Sequence, residues 1–160
     1  MKVLLFKGRG FLSMLIRAQT RSEYSHSAIM LKDGSIIESW QGKGVRRKTL
    51  ADYEGIDFFK VEGVDENVVE EFLLSKIGAK YDYLSVFRFL SKRKPIPSEK
   101  WFCSDLVFSA LEAGGVKLLN NITPQEVSPA LLSLSTLLKK DKGVEWFANK
   151  SARPFWLRSL

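Results

Sequence analysis

Short apolar runs and helical stripes divide most of this chain into alternating elements. Val3 to Phe6 is an apolar run of strand length, and Ile56 to Val61 is another. Two further runs flank Asp33-Gly34, a strong hairpin signal. Phe11 to Ala18 has helical spacing, which predicts one apolar face made of Phe11, Leu12, Leu15 and Ile16. Asp65 can cap a helix reaching Ile77, with Val68, Val69, Phe72, Leu73 and Lys76 stepping around it. Gly78 to Tyr83 is a break, Leu84 to Leu90 predicts a helix, and Ser91 to Pro97 is a basic, proline-bearing loop. A helix carrying Cys103 runs to about Ala113 and stops at Gly114-Gly115. Thr123-Pro124 has the form of a helix start, and Ser128-Pro129 opens another helix through Leu138. Val144 to Phe147 reads as a closing strand. Strands first, then helices, with one late strand, predict an α+β fold. Without repeats or a linker, residues 1–160 read as a single domain.

Composition narrows the chemistry. Hydrophobic residues are 45% and charged residues 27% of the chain, as in an ordinary globular protein. One cysteine excludes an intrachain disulfide and any cysteine-rich zinc site, and a single histidine weighs against a zinc enzyme. No metal or organic cofactor is expected. The net charge of +7 favours anionic partners: nucleic acid, acidic lipid or an acidic cell-wall polymer. Specific nucleic-acid binding has only this charge behind it, since no recognition motif accompanies it. Gly8-Arg9-Gly10 is not a phosphate-binding fingerprint, because GxGxxG and GK[ST] are both missing.

Lys7 and Arg9 interrupt the short apolar start before it reaches the form of a signal peptide. No stretch approaches bilayer-spanning length, so the expected location is cytoplasmic. Two basic clusters, Val45 to Lys48 and Lys92 to Lys94, fall in predicted loops. At the rim of a cleft they would favour an anionic substrate; elsewhere they are solvated loops. The tail from Lys150 to Arg158 mixes cations with aromatics, which suits either a membrane interface or packing against the body.

The single histidine and the single cysteine each sit where a thiol hydrolase needs them. His26 lies in the strand-like Tyr24-Ser25-His26-Ser27-Ala28-Ile29, and Cys103 opens the helix of Trp101-Phe102-Cys103-Ser104-Asp105-Leu106-Val107. A thiol is a weak nucleophile until its proton is taken, and a helix start favours the thiolate. A plain reading competes: Cys103 shares a helical stripe with Leu106, Val107 and Ala110, as a core cysteine would.

Glu38 is the candidate to orient the imidazole, and the hairpin decides whether it can. A two-residue loop would put Glu38 on the face opposite His26. A three-residue loop, Lys32-Asp33-Gly34 with Gly34 left-handed, pairs Leu31 with Ser35 instead. His26 then opposes Trp40, and Glu38 opposes Ala28 on the face of His26, within side-chain reach. If the loop were even, Gln41 or Ser39 would take the place of Glu38.

At these residues the chain resembles the circularly permuted papain-like hydrolases, in particular the YiiX-like branch of the NlpC-type superfamily, related to lecithin–retinol acyltransferases. Tyr24 to Ile29 is similar to the histidine motif of that group, Ile36 to Ser39 to the strand of the third residue, and Trp101 to Val107 to the nucleophile motif. Asp105 stands where a glutamate is more usual. Gly78 to Asp82 and Thr123-Pro124 also match the group, so the likeness runs from about Val3 to Glu126. The resemblance implies a permuted papain-like, NlpC-type fold with a central antiparallel sheet packed by helices. It implies a Cys103–His26–Glu38 triad that forms an acyl-enzyme and cleaves an amide, for instance in a cell-wall peptide. A lipid esterase or acyltransferase is the alternative. A binding module that kept the fold without catalysis is a third.

Overall fold

The computed structural model describes residues 1–50, 53–84, 86 and 99–141. Most of the helix expected at 84–90, the basic loop at 91–97, the strand at 144–147 and the C-terminal tail lie outside the described residues. The described chain is α+β, with one open, six-stranded antiparallel sheet and helices. The strands are β1 (Lys2–Phe6), β2 (His26–Met30), β3 (Ile36–Trp40), β4 (Gly44–Lys48), β5 (Ile56–Lys60) and β6 (Lys139–Lys140), in the order β4-β3-β2-β1-β5-β6. The helices are α1 (Phe11–Thr20), α2 (Glu66–Lys76), α3 (Cys103–Ala113) and α4 (Pro129–Ser133).

Alternation along the strands makes two cores. Val3, Leu5, Ile29, Ile37 and Phe59 point to one side, where they meet Val69 and Leu73 of α2 and Leu106, Val107 and Leu111 of α3. Leu4, Phe6, Ala28, Ile36 and Phe58 point to the other side, with Tyr53 against them. Burying a single large side chain of this kind contributes about 2 kcal/mol, so the doubly covered sheet is the rigid frame. The α2 start follows its capping residue: the Asp65 carboxylate accepts from the amides of Asn67 and Val68.

The hairpin has the odd loop. The Leu31 amide donates to the Ser35 carbonyl at 2.8 Å, Gly34 has φ +83°, and Ile29 pairs with Ile37. Asp33 fixes the turn by accepting from the Ser35 amide and hydroxyl.

The structure differs from the sequence expectation at β4, at the end of the Pro129 helix and on the faces of α1. Val45 to Lys48 is not a loop but strand β4, which pairs Glu38 with Arg46 and Ile37 with Arg47. Its charges hide the strand pattern because it is an edge whose cations meet carboxylates, Arg46 on Glu38 and Arg47 on Asp33. The helix opened by Pro129 ends at Ser133, not Leu138. There the Ser133 hydroxyl bonds the Ala130 carbonyl, the Ser135 hydroxyl reaches Leu118, and the chain turns to lay β6 on β5. The start read at Thr123-Pro124 is present, with Thr123 as cap and Pro124 in the first turn; the element is a single 3-10 turn, Pro124–Glu126, whose Glu126 carboxylate accepts from the Thr123 amide and hydroxyl. In α1, Leu12 and Ile16 face inward, but Phe11 and Leu15 are exposed.

One glycine controls how the segment after α2 approaches the sheet. Gly44 has φ +72°, and the Val45 amide donates to the Ala79 carbonyl at 2.8 Å. A Cβ at position 44 would overlap that same carbonyl oxygen. Gly44→Ala is expected to cost about 2 kcal/mol or more in chemical denaturation, from backbone strain together with the displaced carbonyl. A loss below about 0.5 kcal/mol, the range of an indifferent surface change, would contradict this close approach.

Candidate active site

His26 is the first residue of β2, and Cys103 is the first residue of α3. The two elements are held together just upstream of the cysteine. Trp101 forms a parallel bridge with Tyr81, its amide donates to the Lys80 carbonyl, and its carbonyl accepts from Asp82 and from the Ser39 hydroxyl at 2.6 Å. Ser39 belongs to β3, next to Glu38, so one short stretch ties the cysteine-bearing turn to the strand beside the histidine. Cys103 is 1% exposed and packs with Ile16, Tyr81, Val86 and Phe102.

The structure brings His26, Glu38 and Cys103 together. His26 Nε2 lies 2.6 Å from Glu38 Oε2, and the Cys103 side chain is close enough to raise the proton affinity of the ring. With Nε2 given to the carboxylate, Nδ1 is the nitrogen left for sulfur. The ring is flanked by Phe6 and Trp40, each with centroids 5.1 Å away. That His26–Trp40 opposition is the one a three-residue hairpin loop requires.

Glu38 is 0% exposed and fully partnered. Its Oε1 accepts from Arg46 Nε at 3.0 Å, from Arg46 Nη2 at 2.8 Å and from the Tyr53 hydroxyl. Burial pulls its carboxyl upward, but His26, Tyr53 and Arg46 outweigh burial and hold it below the usual carboxylate range. For His26, burial favours the neutral ring, yet the negative charges of Cys103 and Glu38 and its hydrogen bonds to both prevail. Together they push its pKa up to about 9. The geometry is that of an imidazole between the Cys103 side chain and a buried carboxylate.

Three contributors were not assigned from the sequence. Arg46 was read only as part of a basic cluster; it is the cross-strand neighbour of Glu38 and stacks over Trp40 at 5.0 Å. Tyr53 carried no sequence signal, because it reaches Glu38 across 15 positions from a loop. Asp105, two residues after the cysteine, is buried in the first turn of α3, and its Oδ1 has no hydrogen-bond partner among the described residues. Burial, with the Asp82 charge adding to it, pushes that carboxyl well above its ordinary value.

A cleft of about 120 Å³ opens beside His26, lined by Phe6, Leu12, Ile16, Trp40, Tyr53 and Tyr81, with Ser13, Ser25 and Gln41 as polar points. No helix among the described residues is long and apolar enough to cross a membrane.

Comparison with known proteins places the fold. No family model matches the chain, and no curated protein matches it. Among solved structures it is similar to the metalloprotein yiiX from Escherichia coli O157:H7, with a TM-score of 0.65 and 15% identity over 88% of this chain and 94% of that one. The chain thus has a YiiX-like fold. Among its own described residues, no three His, Cys, Asp or Glu side chains are grouped to hold a metal ion. Both Glu38 oxygens are already taken by His26, Arg46 and Tyr53. The donor set here does not fit a resident metal.

Removing a donor from Glu38 tests the cluster. Tyr53→Phe and Arg46→Leu are each expected to destabilise the fold by about 1–3 kcal/mol, since each leaves a buried carboxylate oxygen short of a partner. The pH dependence has a definite sign. Glu38 has a lowered folded value, so its contribution is full above the unfolded carboxylate value and is lost as pH falls through the folded one. His26 has a raised folded value, so its contribution is full below the unfolded histidine value and is lost as pH rises through about 9. Denaturation curves across pH check both arms; a Tyr53→Phe protein as stable as the native chain at neutral pH would contradict the cluster.

Proposed function

We propose that this chain is a cysteine acyl hydrolase of the permuted papain-like, NlpC-type architecture, acting through an acyl-enzyme on Cys103. The observation that supports this most is the meeting of the only thiol and the only imidazole of the sequence beside Glu38, whose hydrogen bonds run to His26, Arg46 and Tyr53. His26 holds the proton taken from Cys103. The thiolate attacks a substrate carbonyl carbon, and the oxyanion develops beside the free first-turn amides of α3. Collapse of the adduct expels the amine or alcohol, which takes the proton from His26 Nδ1. Neutral His26 then draws a proton from water, whose hydroxide attacks the thioester and releases the acid and the thiol. Glu38 keeps the imidazole oriented and favours its charged form throughout.

Resemblance makes an amide in a peptide, such as a cell-wall peptide, the first substrate class. The aromatic and aliphatic lining of the cleft beside His26, with Ile16 shared between that lining and the cluster that holds Cys103, favours a second: a lipid ester, cleaved or transferred to another acceptor. Each methylene of an acyl chain buried there would gain about 0.8 kcal/mol. Turnover of short cell-wall peptides and of lipid esters, offered separately, distinguishes the two.

Cys103→Ala should lower turnover ~10³-fold or more, as loss of a nucleophile does. Glu38→Gln should hurt less, since an amide still accepts from imidazole. Turnover should also fall as pH rises through about 9, where His26 loses the proton owed to the leaving group. Activity that survives Cys103→Ala would refute the nucleophile. No turnover of either class, with a thiol inert to alkylation, would favour a binding module.

A further inference from the structure

Helix α1 has two apolar sides. Leu12 and Ile16 face inward, Ile16 in the same buried cluster as Cys103. A surface helix ordinarily turns polar residues to water on its other side. Here Phe11, Met14 and Leu15 are 74%, 53% and 39% exposed. At 100° per residue they form one outward stripe with the exposed Ala18. The helix contains no acidic residue.

Arginines border that stripe. Arg17 and Arg21 follow one flank, and Arg9 precedes the helix; Arg9 and Arg21 are exposed. Arg17 gives one N–H to the Gly8 carbonyl at 3.2 Å, and its other donors have no hydrogen-bond partner among the described residues. Lys7, Arg9 and Arg17 wall a cavity of about 420 Å³ at the foot of the helix, opposed there by Glu54. Lys7 is neutralised by Glu23 and Asp57, so the arginines supply the field.

We propose that α1 seats this protein on an anionic lipid surface, with Phe11, Met14 and Leu15 entering the headgroup region and Arg9, Arg17 and Arg21 meeting lipid phosphates. An apolar stripe edged by cations is what such an interface selects. Ile16, on the other side of α1, packs in the cluster of Cys103, so a surface seated on the outer side lies one helix diameter, about 10 Å, from that cluster. The inference goes beyond the acyl chemistry and uses none of its groups.

Co-sedimentation with phosphatidylcholine vesicles, with and without phosphatidylglycerol, tests it on the full chain. Partition should be about tenfold or more stronger on the anionic vesicles and should weaken with salt. Arg17→Gln and Arg21→Gln should each lose roughly fivefold on anionic vesicles. Phe11→Ser with Met14→Ser should lose about tenfold, with an unchanged thermal midpoint because both side chains are exposed. Cys103→Ala should partition as the native chain does, so a failed hydrolase reading leaves this readout intact. No vesicle binding, or binding indifferent to Phe11, Met14 and the arginines, would overturn the proposal. So would a dimer seen by light scattering and lost in the Phe11/Met14 variant, which would make a second copy the occupant of the stripe.

Discussion

Glu38 carries its charge with no exposure to solvent, and that fact organises everything around it. Desolvating a carboxylate costs several kcal/mol unless partners replace the lost water. Here one oxygen takes two bonds from Arg46 and one from Tyr53, and the other takes His26. Each donor comes from a different place: β4, the segment before β5, and the start of β2. Pairing them fixes the edge strand, the loop and the histidine ring at once. The imidazole is therefore fixed in orientation, and Cys103 and Glu38 outweigh its burial in raising its proton affinity.

The cysteine is delivered by a second set of constraints. Trp101 is pinned to β3 through Ser39 and to the 80–82 segment through backbone bonds. Gly44 lets the neighbouring segment approach β4 closely enough for this to happen. The close-packed frame of α2 and α3 on the sheet limits how far either set can drift.

Much of this was legible in the sequence because local chemistry dictates it. Asp33-Gly34 allowed two registers, and the pleat showed that only the odd one puts Glu38 beside His26. The Asp65 cap and the Gly114-Gly115 stop gave α2 and α3 their ends. What stayed hidden depends on tertiary pairing. β4 reads as a basic loop because Arg46 and Arg47 are satisfied by carboxylates on other segments. Tyr53 looks like any loop aromatic until Glu38 is beside it. The faces of α1 were misassigned because the helix is apolar on both sides, and periodicity alone does not say which side meets the core.

The account stands on a charged imidazole held between Cys103 and Glu38. His26 is the only histidine, so its ring protons give one unambiguous NMR titration. The account predicts an apparent pKa of about 9 in the native chain, falling clearly in Cys103→Ala and in Glu38→Gln. A midpoint near the ordinary histidine value of about 6.5, unmoved by either substitution, would contradict it.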